Sequence, residues 1–297
     1  AYVTWTPVSG ADGYNVYCKP IGGSYVQLDS MLIRQYSGYF RADAVGLKPG
    51  SYVMKVVPTA DGKEDTSKAV ESDAITVGNY DRSGFAFSKN SPNGGTGVGA
   101  YNDDGTLKDD AIVLYLTEET KKTMKFDVKG SSGYVSCTGL VEILDAYSDG
   151  YDSRPLNIRI IGKVTADGVV GANSDTNNLN LKTNNTKRIV KNITIEGIGD
   201  DAVCYGFGIR GLKIQSVEIR NIGIMLFGDD GIAFETANKN IWVHNNDIFY
   251  GTAGGDADQA KGDGSLDLKN DSQYFTISYN HFWDSGKMSL CGMKSET

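Results

Sequence analysis

The sequence predicts an all-β protein: a right-handed parallel β-helix, incomplete at its far end, preceded by a small β-sandwich. Three observations carry that prediction. Glycine occurs 37 times and proline 6 times in 297 residues, beside abundant Thr, Asn and Tyr, which is the composition of many strands and turns. From about Asn157 one pattern recurs, in which two apolar residues two apart are followed three positions later by an apolar residue or Asn. Its copies are Ile193/Ile195/Ile198, Val217/Ile219/Ile222, Ile241/Val243/Asn246 and Phe275/Ile277/Asn280, with Ile158/Ile160 an earlier one. The spacing is regular: Ile195, Ile219 and Val243 are 24 residues apart and Ile277 follows after 34, the excess falling in the loop 252–262. Short strands repeating at that period without intervening helices imply stacked coils, because one coil alone cannot bury its inner face. An antiparallel sandwich would not require a constant spacing.

Taken in order, residues 1–78 read as the sandwich. YVTWTPV, YNVYCK and SYVMKVVPT are short alternating strands separated by Gly-, Pro- and Asp-rich turns. Trp5, and the run Leu47-Lys-Pro-Gly-Ser-Tyr52, resemble the fibronectin type III domain, which implies that the Tyr52 hydroxyl ties back to upstream backbone. The first strand of that fold is missing before Ala1, so the chain reads as truncated there. Residues 79–96 form a Gly/Asn-rich linker, and 97–297 form the β-helical domain. Within it Ala111–Leu116 is a strand, and Leu140, Ile143, Leu144 and Tyr147 have the spacing of one short amphipathic helix. Asn246 and Asn280, at one position of the repeat, predict a ladder of buried amides between coils.

Twenty-nine Lys and Arg against 37 Asp and Glu leave a net charge of −8, which gives no long-range attraction to nucleic acid or an anionic membrane. An acidic ligand would have to be held by local cations. The sequence contains neither an apolar run of transmembrane length nor a signal peptide. Cys18, Cys137, Cys204 and Cys291 lack metal-site spacing and read as single buried thiols.

The chemistry concentrates in 261–293. Ser265, Asp267 and Lys269 alternate with Leu266 and Leu268, so the polar three share the outer face of a strand. Asp263 and Asp267 can share one cation only if the chain bends between them, because four extended residues span about 13 Å; Gly264 makes the bend easy. Asp230, Asp263 and Asp267 fall in consecutive coils or their turns, and three stacked carboxylates would suit a hard cation such as Ca²⁺.

GDDGIAFE (228–235), NIWVHNNDIF (240–249), GDGSLDLK (262–269) and YFTISYNHFWDSGKMSLCGM (274–293) resemble, in the right order, the active-site motifs of the pectate lyases of polysaccharide lyase family 1. The resemblance implies calcium ligation by Asp230, Asp263 and Asp267, with Asp229 a weaker candidate. It implies substrate contacts by Lys269 and Lys287, a pectic polysaccharide as partner, and a secreted, periplasmic or cell-surface location. It also implies an arginine base in an Arg-x-Pro-Arg segment that does not occur before Thr297. The chain therefore reads as truncated at this end too, its remaining coils supplied by a C-terminal polypeptide. His244 stands where the family often has Asp and reads as structural or groove-lining; His281 reads as a strand-edge residue, and Asp284 as a residue within reach of the groove. Two rival readings remain: a β-helical polygalacturonase using Asp229 and Asp230 as acid and base, and a pectin-binding β-helix without catalysis.

Overall fold

Strand register in the computed structural model, which describes residues 1–172, 174, 176–253 and 259–292, establishes the architecture. The chain forms two compact units, Ala1–Asp81 with Asp103–Leu107, and Arg82–Asn102 with Lys108–Thr297. In the first, Tyr39–Asp43 pairs antiparallel with Tyr2–Trp5 and Ile33–Tyr36, while Gly50–Ala60 pairs antiparallel with Gly13–Pro20. Val16, Cys18, Ala42, Tyr52 and Met54 form its core. The Tyr52 hydroxyl donates to the Lys48 carbonyl at 2.9 Å, the upstream tie expected of it.

The second unit is a parallel β-helix with three sheets. Ile112–Leu116, the first parts of Leu156–Thr165 and Lys191–Tyr205, and then Gln215–Arg220, Lys239–His244 and Gln273–Ser278 stack as the first sheet. The ends of the two long strands continue into a second sheet with Gly223–Met225, Asp247–Phe249 and His281–Trp283. The third sheet consists of Asn178–Lys182, Gly208–Leu212, Ile232–Thr236, Gly264–Lys269 and Lys287–Gly292. Ile193, Val217, Ile241 and Phe275 are in direct register, as the repeat requires. The earlier copy is offset from its prediction: Leu156 and Ile158, not Ile158 and Ile160, pair with Ile193 and Ile195. Ile195, Ile219 and Val243 are fully buried, whereas Ile277, in the last described strand of its sheet, is 37% exposed.

The corners explain why the period holds. Lys213, Ala237 and Asp271 have positive φ where the third sheet leads into the first, Asn192, Ser216, Asn240 and Tyr274 have it as the second residues of the first-sheet strands, and Asn221, Asn245 and Tyr279 have it at the corner after the first sheet. Each left-handed non-glycine residue costs about 1–2 kcal/mol, which the stacked strands on either side offset. At the corner after the first sheet Asn246 Oδ1 accepts from the Ile222 N–H at 3.1 Å, and Asn280 Oδ1 accepts from the Asn246 N–H at 3.1 Å and side-chain amide at 2.9 Å. This is the amide ladder the sequence predicts. Asn238 begins a second, accepting from the Ile214 N–H at 3.2 Å and donating to Ser272 at 3.1 Å. The helix Leu140–Tyr147 buries the four apolar residues its spacing marks, in the same core.

The region read as a linker, 79–96, departs from expectation. Arg82–Asn102 belongs to the β-helical unit and runs as a strap across the outer face of the first sheet. Ala86 donates to Thr276 Oγ1 at 3.1 Å and accepts from Asn240 at 2.9 Å; Gly99 and Ala100 donate to Ser216 and Thr194. Ala86 and Val98 pack against the buried Trp242, with Phe87 edge-on to its ring at 5.1 Å. Low hydropathy misled here because most of these contacts are backbone hydrogen bonds. Cys18, Cys137 and Cys204 are buried thiols, but Cys291 is exposed, at the edge strand Lys287–Gly292.

Candidate active site

The acidic residues gather where consecutive coils turn into the third sheet. The Asp263 N–H donates to the Asp229 carbonyl at 2.9 Å and the Gly264 N–H donates to Asp230 Oδ1 at 2.9 Å, so each turn is pinned on the one before. One carboxylate oxygen from each of Asp229, Asp230 and Asp263 lies within 4.8 Å of the others. Two glycines permit this closeness. A Cβ on Gly208 would stand 2.0 Å from the Asp230 carbonyl, and one on Gly264 would stand 2.3 Å from Asp267 Oδ1. The bend expected at Gly264 is not formed: Gly264 is the first residue of the strand Gly264–Lys269, in register with Lys287, and its missing Cβ instead leaves room for the Asp267 carboxylate.

Leu266 points into the core while Asp267 and Lys269 face outward, yet Asp267 is only 3% exposed. The Lys269 ammonium sits between two carboxylates, 2.9 Å from Asp230 Oδ2 and 3.0 Å from Asp267 Oδ2. Asp267 Oδ1 also accepts from the Leu290 N–H at 3.0 Å. Lys287 forms an ion pair with Asp263. The predicted residues Asp230, Asp263, Asp267, Lys269 and Lys287 are thus in one neighbourhood, with a changed grouping. Among the described residues the three converging carboxylates are Asp229, Asp230 and Asp263; Asp267 is held by Lys269 and a backbone N–H.

The electrostatics follow from burial. Asp229 is pushed up to about 6, first by burial and then by the charge of Asp230, and Asp267 is pushed up to about 6 for the same two reasons. Burial alone would lower the Lys269 ammonium, but Asp230 and Asp267 hold it above its ordinary value. Four carboxylates face two ammonium groups, a deficit that one divalent cation would cancel. The all-oxygen donor set suits a hard cation such as calcium.

His244 lies elsewhere. It is 1% exposed on the first sheet, stacked on Trp242 with ring centroids 3.6 Å apart and its Nε2 2.9 Å from Glu218 Oε1. It belongs to a buried ionic network under the strap. Glu196 accepts from Tyr101 at 2.5 Å, from Arg159 at 3.0 Å and from Arg220 at 2.6 Å, and Arg220 also meets Glu218 at 3.2 Å. Sequence reasoning missed this network, although Arg159, Glu196, Arg220 and His244 occupy one register column and the last three are 24 residues apart. Exposed His281 reaches Asp247 Oδ1 at 3.0 Å in the second sheet, and Asp284 pairs with Lys261.

No family profile matches the chain. Over 154 residues it is 29% identical to a pectate trisaccharide-lyase of Bacillus licheniformis, covering 51% of this chain and 41% of that protein. Over 104 residues it is 38% identical to pectate lyase A of Emericella nidulans, covering 34% and 31%. The chain therefore spans less than half the length of these relatives. Among solved structures, a pectate lyase from Bacillus sp. N165 in complex with trigalacturonate aligns over 71% of this chain and 56% of its own, with a TM-score of 0.48 and 23% identity. The β-helix stands on the strand register itself; the chain is similar in sequence to these pectate lyases over about a third to a half of its length.

Proposed function

We propose that this chain carries the acid-lined groove of a calcium-dependent pectate lyase, which cleaves polygalacturonate by β-elimination. The observation that carries the reading is the convergence of Asp229, Asp230 and Asp263 beside Lys269 and Lys287 where consecutive coils turn into the third sheet. Asp230 and Asp263 would be the centre of the calcium site, flanked by Asp229 and Asp267. These residues would hold the calcium, and the chemistry supplied there would be positive charge that attracts a uronate carboxylate and acidifies its α proton.

The chain's own residues bind and orient. Lys269 is fixed by Asp230 and Asp267, so its ammonium is a preorganised positive point at the groove floor. Lys287 is less confined, its side chain 43% exposed, and can exchange Asp263 for a uronate carboxylate or hydroxyl. Elimination then requires removal of the proton α to the carboxylate, leaving an unsaturated sugar. The base is expected in an Arg-x-Pro-Arg segment of the kind the resemblance implies; Arg159 and Arg220 are committed to Glu196. Residues 1–78 are read as a fibronectin type III-like accessory module, and the whole protein as acting outside the cytoplasm on pectic polysaccharide. Among the described residues no helix is long and apolar enough to cross a membrane.

Calorimetry with calcium and oligogalacturonate tests the binding half. Calcium should bind, more tightly with the oligomer present, and Asp230→Asn should abolish it; absence of any calcium binding in either condition sinks the metal assignment. The chemistry is read from the ultraviolet absorbance of unsaturated uronate, measured on protein that includes the base-bearing segment. Saturated reducing ends formed without calcium would instead establish a polygalacturonase.

A further inference from the structure

A hairpin outside the three sheets, Lys125–Gly130 paired antiparallel with Gly133–Thr138, packs on the helix Leu140–Tyr147. An open cavity of about 650 Å³ lies between it and Arg154, lined by Lys125, Phe126, Asp127, Tyr134, Ser136 and Arg154. That volume is within the range of small-ligand sites. Asp127 stands opposite Ser136 across the pair and Lys125 is two residues before Asp127, so these three share one face of the hairpin.

Arg154 is fixed in place but only partly used. The buried Asp152 carboxylate accepts from Arg154 Nε at 3.0 Å and Nη2 at 2.6 Å, and is itself held by the Lys129 N–H at 3.0 Å. Nη2 also donates to the Asp127 carbonyl at 3.1 Å, which leaves both N–H groups of Nη1 without an acceptor among the described residues. The guanidinium lies 5.0 Å from the Phe126 ring and 5.5 Å from that of Tyr134, a residue 64% exposed. The side chains of Lys125, Asp127, Tyr134 and Ser136 have no hydrogen bond or ion pair to another described residue. The cavity thus gathers unspent donors, an unspent carboxylate and open ring surface. Lys125 and Arg154 against Asp127 and Asp152 sum to zero charge, which gives no net attraction for an anion. A neutral sugar matches the set. Its hydroxyls both donate and accept, so neighbouring ones can donate to Asp127 while accepting from Lys125 or Arg154, and the C–H face of its ring can cover Tyr134.

We propose that this cavity is a binding site for a neutral sugar unit, free or within a polysaccharide, separate from the acid cluster. Leu156–Thr165, which follows Arg154, shares its coil with Asn178–Lys182, and Gly264–Lys269 is three strands further on in the third sheet. That is about 14 Å along the solenoid. Binding here therefore requires neither calcium nor a uronate, and would hold the protein on a neutral stretch of glycan independently of cleavage.

The test is calorimetry on the whole chain with chelator present, using glucose, galactose and arabinose as free sugars and as soluble neutral polysaccharides of each. One of these sugars should bind with a Kd of about 1 mM or tighter, and Tyr134→Ala and Asp127→Ala should each weaken it about ten-fold. Both residues are exposed, and Arg154 bonds to the Asp127 carbonyl, not its carboxylate, so the fold should stand. Lys125→Met, which keeps the side-chain stem, is a third variant with the same expected loss. Tighter binding of a polymer than of its free sugar assigns the site to a polysaccharide; equal binding assigns it to the free sugar. Failure of all three sugars to bind in both forms, affinities unchanged in the variants, or displacement by trigalacturonate would overturn the proposal. The calcium site is tested separately by Asp230→Asn and stands or falls on its own.

Discussion

At the level of single residues, the sharpest question is which carboxylates hold a cation. Asp229→Asn and Asp230→Asn are each expected to weaken calcium binding at least about ten-fold, because their oxygens converge with that of Asp263. If Asp229→Asn leaves affinity intact while Asp267→Asn removes it, Lys269 must swing aside and the donor set is the one written in the motif. A second prediction concerns Glu196. Burial would push its carboxyl up, but Arg220 and Arg159 outweigh that and hold it at about 2, against an ordinary 4.5. A depressed carboxyl contributes stability that is complete above pH 4.5 and is lost as pH falls towards about 2. Acid titration followed by circular dichroism should show that loss, and Glu196→Gln should cost about 3–5 kcal/mol at neutral pH by leaving two buried guanidinium groups under-neutralised. Destabilisation below 1 kcal/mol would mean the network is better hydrated than its burial indicates. The five residues that the motifs mark do fall in one neighbourhood. Their grouping was not legible, because it depends on where the Lys269 ammonium comes to rest.

The elements were legible to the extent that their side chains alternate or repeat. Strands such as Gln215–Arg220 and Lys239–His244 declare themselves through apolar pairs that have to face one core, and Leu140–Tyr147 through its helical spacing. The copy at Ile158/Ile160 was read two residues late because Leu156, Ile158 and Ile160 are all apolar and periodicity alone cannot choose between pairs. The Asn ladder makes its own prediction. Asn246→Ala orphans the Ile222 N–H and removes the amide that donates to the Ile219 carbonyl and Asn280 Oδ1, so unfolding free energy should fall by about 1–3 kcal/mol. Chemical denaturation measures this, and an unchanged midpoint would show that the corner is held by strand pairing alone. His244→Gln, by contrast, should lower stability while calcium affinity is retained, since its partner is Glu218 and not the acid cluster.

For the molecule as a whole, the solenoid was readable because the 24-residue period is a property of the whole sequence and survives errors at any one coil. The strap was not, since Arg82–Asn102 has no period and is pinned largely through backbone hydrogen bonds, with Phe87 and Tyr101 its isolated large anchors. Its placement has a consequence for how the protein is made on the ribosome. Coils can add one at a time to a growing solenoid as they emerge, each needing only the coil before it. The strap is synthesised first, yet Ala86 bonds to Thr276, 190 residues later. At about 5–20 residues per second, it waits roughly 10–40 s for its last anchor. Thr194 and Ser216 emerge earlier and let the Gly99–Ala100 end of the strap settle over the ionic row first. The end that packs on Trp242 is therefore the last to be fixed, and is the part most open to chaperone capture or protease attack before Thr276 emerges.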